Sequence, residues 1–324
     1  MSQPSPPSIP AALNPKPREV EFDLDHTLSA VISLRTRIPE DAFTARVLGT
    51  ERSGHGVVFQ ERGLVLTIGY LVAEAEEVWL LDGKGSAVEG DVLAYDYETG
   101  FGLVRALRPF APPALEPGNC RTLARGDSLI LAGSGGRKSA IRTAVQSVGP
   151  FAGYWEYLID SAIFTAPAHP DWGGAALLDR GGRLCGIGSL FLDSVPGPGV
   201  PGEGNLSVAT DLLLPVLDEL LRHGTTLKPP RPWLGVFIAE TESGLGVGGL
   251  YPGGPAASAL QEGDMLVALG GVPVRDLASF YRALWASGEA GTSVSLTVRR
   301  DGKLLEVSLR SMDRRKAWRK PSLH

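Results

Sequence analysis

The chain has 324 residues, 43% hydrophobic and 21% charged, with a formal net charge of −5 and two cysteines. These proportions suit two globular domains, with length alone allowing a third, and exclude a disordered or fibrous chain. The mild acidity argues against nucleic acid as a partner. Cys120 and Cys185 are too few for a disulfide framework or a CxxC-type metal site, and nothing in the sequence calls for a cofactor.

The opening Met1-Ser2-Gln3-Pro4-Ser5-Pro6-Pro7-Ser8-Ile9-Pro10 has neither a basic n-region nor an unbroken apolar run. Residues 1–19 therefore read as a disordered Pro/Ser-rich leader. The protein is expected to be cytoplasmic, with a periplasmic placement open if the true start lies upstream. No stretch approaches the roughly 20 apolar residues that cross a bilayer.

From 20 to 224 short apolar runs such as Ser29–Leu34, Val78–Leu81 and Asp127–Ala132 alternate with Gly, Pro and Asp turns. That spacing predicts a mainly β sandwich or barrel. Gly54-His55-Gly56-Val57-Val58-Phe59 and Gly63-Leu64-Val65-Leu66-Thr67-Ile68-Gly69-Tyr70-Leu71-Val72 read as a hairpin. Two further segments are distinctive: Asp96-Tyr97-Glu98-Thr99-Gly100-Phe101-Gly102-Leu103-Val104, and Asp171-Trp172-Gly173-Gly174-Ala175-Ala176-Leu177-Leu178 with Gly182 to Ile187 behind it.

Together these segments resemble the HtrA/Deg family of trypsin-like serine proteases, which implies a double β-barrel. The family's catalytic histidine falls on Tyr70, its orienting aspartate on Gly100 and its nucleophilic serine on Trp172. A serine attacks only when a base takes its proton and a third group orients that base. Tyrosine, with an ordinary pKa of about 10, is a poor base at neutral pH. Glycine has no carboxylate, and the indole is a donor without a nucleophile. A tryptophan side chain, able to bury roughly 150–250 Å², would also fill the space that a scissile peptide needs. The resemblance thus implies no catalytic residues.

Of the five histidines, His55 and His169 lie near these segments and read as packing residues. The interval between Asp160 and Gly173 is longer than the family's, so the oxyanion loop is expected to be remodelled. A displaced nucleophile at Ser161, Ser189 or Cys185 keeps an active endopeptidase open as the alternative, although Cys185 lies in an apolar run that suits a buried thiol. The segment Ser194–Gly202 reads as a flexible connector.

Asp211–Gly224 carries helical periodicity, with 213, 216, 217, 220 and 221 on one face, a cap at Thr210 or Asp211 and a stop at Gly224. His223 in its last turn suits the helix dipole. Residues 225–232, rich in proline, form a stiff linker.

Residues 233–311 contain Trp233-Leu234-Gly235-Val236-Phe237-Ile238, Pro252-Gly253-Gly254-Pro255-Ala256-Ala257 and Gly263-Asp264-Met265-Leu266. These resemble a PDZ domain of the HtrA type. The resemblance implies strand addition by a peptide C-terminus, its carboxylate held by amides of Trp233 to Val236 and its backbone received by Phe237 and Ile238. A helix from Asp276 to about Ser287 puts Leu277, Phe280, Tyr281 and Leu284 on one side. Phe280 and Leu284 are candidates for the side-chain pocket, or for domain core alone. Val294–Val298 alternates as a last strand, and the basic tail 312–324 reads as solvated.

The function expected is an inactive scaffold, adaptor or chaperone-like protein whose partners are protein or peptide C-termini. Family resemblance adds a homo-oligomer, a trimer, which could also serve a purely structural role.

Overall fold

Short strands with buried alternate faces curl here into closed barrels, which leave no unpaired sheet edge. The computed structural model describes residues 9–197 and 202–318. In the first barrel β1 (Val31–Arg37), β2 (Glu51–Val58), β3 (Leu64–Ile68), β4 (Glu77–Leu81), β5 (Ala87–Asp96) and β6 (Phe101–Ala106) close in the order β1-β2-β3-β6-β5-β4. In β1 the buried Leu34 and Thr36 alternate with the exposed Arg35 and Arg37, the period expected of a half-buried strand. The second barrel comprises β7 (Ser128–Ala132), β8 (Ala140–Gly153), β9 (Tyr157–Ala166), β10 (Ala176–Leu178), β11 (Leu184–Leu192) and β12 (Gly204–Ala209), closing as β10-β11-β12-β9-β8-β7. Leu131, Ile141, Val145, Ile163, Leu177 and Cys185 fill its core.

The predicted continuous helix over 211–224 is corrected. A 3-10 turn spans Thr210–Leu212 and the helix itself is only Leu217–His223, entered from Val216 without a side-chain cap. Pro215 explains the break, because it lacks an N–H and its ring clashes with the preceding turn. Gly224 does end the helix in a left-handed conformation.

The leader is also corrected over its described part. Ala11–Leu13 and Pro17–Glu19 form 3-10 turns, Ile9 and Leu13 pack on the second barrel's core, and the Asn14 side chain donates to the Ala140 carbonyl. Residues 1–8 of that leader, 198–201 of the connector and 319–324 of the tail lie outside the described residues.

The last sheet runs β13 (Val236–Thr241), β14 (Gly244–Leu250), β15 (Met265–Leu269), β17 (Ser293–Arg300) and β18 (Lys303–Arg310), with the short β16 (Val272–Pro273) paired to β15. The helix Leu277–Ala286 buries Leu277, Phe280, Tyr281 and Leu284, and Asp276 caps it by accepting from the Ser279 amide. By internal contacts the chain divides into two units. One runs to Gly149 and resumes at Ser161–Thr226; the other takes Pro150–Asp160 together with the chain from Leu227. The expected barrel span 20–224 therefore yields the tip of its β8–β9 hairpin to the second unit.

Candidate functional site

The three positions Tyr70, Gly100 and Trp172 are brought together within the first unit. Tyr70 sits on the 3-10 turn Gly69–Leu71 that follows β3. Arg52 holds this turn, donating to the carbonyls of Tyr70 at 2.7 Å and Ala73 at 3.1 Å. Burial lowers the Arg52 guanidinium to about 10, opposed by Glu74. The Tyr70 hydroxyl donates to the Ser189 carbonyl at 3.0 Å. Burial and the nearby Asp171 charge push that hydroxyl far above its ordinary value, with the Trp172 indole acting in the opposite direction.

Gly100 closes the β5–β6 turn and accepts from the Gly69 amide at 2.7 Å. The nearest acid in its segment, Asp96, is spent on that same turn, taking the Thr99 hydroxyl at 2.7 Å and the amides of Glu98 and Thr99. Trp172, half-buried, lies 5.4 Å from the Phe191 ring. Behind it Gly174 has a φ of +80°, and a Cβ there would meet the His55 carbonyl at 1.9 Å, so only glycine fits.

His55 and His169 are both buried with engaged rings. His55 Nδ1 accepts from the Ser134 amide at 3.1 Å, and its Nε2 lies 3.0 Å from Asp171 Oδ2. His169 Nδ1 accepts from the Asp171 amide at 3.0 Å, which leaves Nε2–H facing the Ser139 carbonyl at 3.0 Å. These partners assign both rings the Nε2–H tautomer. His55 holds the Asp171 carboxyl below its ordinary range, and burial holds His169 below its own.

Among the described residues, none of the three candidate displaced nucleophiles is hydrogen-bonded to a histidine. Ser161 is half-buried on β9, and Ser189 is bound through its carbonyl by Tyr70. Cys185 is fully buried, its thiol pushed up by its neighbour Cys120 and by burial. Among the described residues no three His, Cys, Asp or Glu side chains gather as a metal site, and no helix is long and apolar enough to cross a membrane.

The second unit holds the predicted peptide loop. Gly235 has a φ of +76°, and a Cβ there would press on Gly254 Cα and the Trp233 ring, each at 3.1 Å. This conformation turns three successive amides toward one point. That point is occupied by the Glu156 carboxylate: Oε2 accepts from the Leu234 amide at 3.0 Å, and Oε1 from those of Gly235 at 2.7 Å and Val236 at 3.0 Å. Burial pushes the Glu156 carboxyl up, while these amides and Arg314 pull the other way. Phe237 packs 4.3 Å from Tyr251, and the Ile238 amide donates to the Tyr154 carbonyl at 2.9 Å. Phe280 and Leu284 are fully buried core residues in one cluster with Leu158.

Glu156, Tyr281 and Arg314 were not among the expected site residues. The available signal was a lone acid in an aromatic hairpin tip, Tyr154-Trp155-Glu156-Tyr157. Arg314 also corrects the solvated tail. It is 6% exposed, its guanidinium lies 6.0 Å from the Trp233 ring, and it donates to the Trp155 carbonyl at 3.2 Å.

Fold and site together define a trypsin-like barrel domain followed by a PDZ domain. Residues 54–187 match the trypsin-like peptidase domain model, and 232–310 match the PDZ domain model. The chain joins a trypsin-like peptidase domain to one C-terminal PDZ domain, and its homologues are HtrA and DegP/DegQ proteins. It is 24% identical to the "Serine protease Do-like HtrA" of Lactobacillus helveticus, covering 81% of this chain and 69% of that protein. It is 25% identical to the "Periplasmic pH-dependent serine endoprotease DegQ" of Escherichia coli K12, and 28% to a "Probable periplasmic serine endoprotease DegP-like" of Pseudomonas fulva. Each of these two matches covers 80% of this chain, which spans 59% and 56% of their lengths. The solved structure "HtrA-type protease AlgW with decapeptide" shares the fold, with a TM-score of 0.52 at 19% identity, covering 93% of this chain and all of that one. The expected cytoplasmic placement is corrected by these relatives, two of which are named periplasmic. The first residues alone do not decide the compartment.

Proposed function

We propose that this protein is a catalytically inactive HtrA-like pseudoprotease of the periplasm that acts as a peptide- or protein-binding scaffold, adaptor or chaperone-like factor, assembled as a homo-oligomer. The observation that carries the reading is that, among the described residues, the position aligned with the catalytic histidine holds a hydrogen-bonded tyrosine and the two neighbouring histidines have their acceptor nitrogens engaged. Tyr70 spends its hydroxyl as a donor, with a proton held more tightly than in free tyrosine. The Nδ1 lone pairs of His55 and His169 are both taken by backbone amides, so neither neutral ring can accept a nucleophile's proton.

Electrostatic stabilisation is impaired as well. In serine proteases the oxyanion is held by the backbone N–H of the nucleophile and of the residue two before it. Counted from Trp172 that second residue is Pro170, which has no N–H. Base, orienter, nucleophile and one oxyanion donor are thus all lacking at the aligned positions. Unfolded casein should survive incubation with the protein, and a fluorophosphonate probe should leave it unlabelled. Cleavage that is abolished by substituting one of the chain's own residues would overturn the reading.

A further inference from the structure

The edge of the PDZ sheet already holds a ligand. β13 ends the sheet and pairs with β14 on one side only, so its other side offers the donors that an added strand would use. Three features define such a ligand: a carboxylate on the loop amides, main-chain bonding to the edge strand, and an apolar side chain in the core. Segment 150–160, part of the same unit, supplies all three. Glu156 gives the carboxylate, taking the amides of Leu234, Gly235 and Val236. The Tyr154 carbonyl accepts from the Ile238 amide, two residues beyond Val236. Leu158 joins Leu234, Val236, Ile238, Phe280 and Leu284 in the core.

The segment is held at further points. Tyr281 donates its hydroxyl to the Gly153 carbonyl at 2.8 Å and accepts from the Glu156 amide at 3.1 Å. Glu156 itself is 6% exposed and adopts a φ of +56°, a left-handed conformation uncommon outside glycine. A buried carboxylate is tolerated only when its acceptor capacity is met, and here three amides and the nearby Arg314 meet it.

We propose that the hairpin tip Tyr154–Leu158 is the resident ligand of the PDZ groove, with the Glu156 side chain standing where a peptide's C-terminal carboxylate would sit. An external C-terminus then binds by displacing it. This consequence rests on reading the domain as a receptor for peptide C-termini. A partner must bring a free α-carboxylate and an apolar terminal side chain, and its apparent affinity is reduced by the fraction of molecules in which Glu156 is docked.

The test uses the full chain as wild type, Glu156→Ala and Glu156→Gln. Hydrogen exchange is followed at Leu234, Gly235, Val236 and Ile238, with the amides of β17 as the measure that the domain stays folded. Binding is titrated with a short fluorescent peptide ending in valine, as free acid and as amide. The loop amides should exchange at least about tenfold faster in Glu156→Ala, and the acid peptide should bind that variant about tenfold more tightly, while the amide gains nothing. If Glu156→Ala loses β17 protection, Glu156→Gln carries the test, since it keeps the size but sets an N–H against one of the three donors. Loop exchange identical in all three proteins, with equal peptide affinity, overturns the proposal. Faster loop exchange with no acid peptide bound by any variant upholds the resident ligand and removes the C-terminal peptide reading instead.

Discussion

At the scale of single residues, the cleft holds titratable groups tied to backbone and to one another. His169 is held neutral by burial, its Nδ1 bonded to the Asp171 amide and its Nε2–H facing the Ser139 carbonyl. Its folded pKa lies below the ordinary value of about 6.5, so between the two values the unfolded chain binds more protons than the folded one. The stability this contributes is present above about pH 6.5 and is lost as pH falls through the folded value. Asp171, depressed by His55, acts in the same direction at lower pH, below the ordinary aspartate value of about 3.9. The melting temperature should therefore fall as pH drops below about 6.5. His169→Gln, with an amide that offers both a donor and an acceptor, should be less stable at pH 8 but lose less on acidification. Parallel melting curves of the two proteins from pH 8 to pH 5 check this; a constant gap between them would exclude His169 as a source of the acid sensitivity.

At the scale of elements, periodicity was legible where it met no competing chemistry. The predicted helix over Asp276 to Ser287 is present as Leu277–Ala286, because its apolar spacing is uninterrupted and Asp276 and Ser279 satisfy each other's backbone amides at the start. Asp276→Ala should cost about 1 kcal/mol, the usual effect of removing a capping side chain, read as a lower denaturant midpoint with an unchanged slope. The same periodicity misled over 211–224, where Pro215 outweighs the apolar pattern and leaves the shorter helix Leu217–His223. The described leader residues gained order from partners far away in the chain, such as Ala140 for Asn14. Glu156 was hard to read for the same reason: its donors lie 78 to 80 residues further on, and a lone acid in a hairpin tip does not name them.

At the scale of the whole molecule, the two folds were readable because glycines and short apolar runs in Gly54–Phe59, Asp171–Leu178 and Trp233–Ile238 serve backbone geometry, which outlasts side-chain chemistry. Gly174 can be nothing else beside the His55 carbonyl, whereas on the proposed inactivity Tyr70 and Trp172 are free to differ. The proposed loss at Pro170 is harder to see, since it would remove a backbone donor and change no side chain of the triad. A repair experiment distinguishes these layers. Trp172→Ser alone should give no hydrolysis, because neither Tyr70 nor Gly100 then supplies a base or an orienter. Tyr70→His, Gly100→Asp and Trp172→Ser combined should remain poor, because the oxyanion position beside the new serine still lacks one N–H. Adding Pro170→Gly restores that donor, and the fourfold variant should exceed the triple one by about 10²–10³ in turnover of a fluorogenic peptide, the usual effect of one oxyanion-hole donor. Robust activity in Trp172→Ser alone would show that Tyr70 and Gly100 do not occupy the histidine and aspartate positions. Equal activity of the triple and fourfold variants would show that the loop before Trp172 is displaced beyond what a single amide can repair.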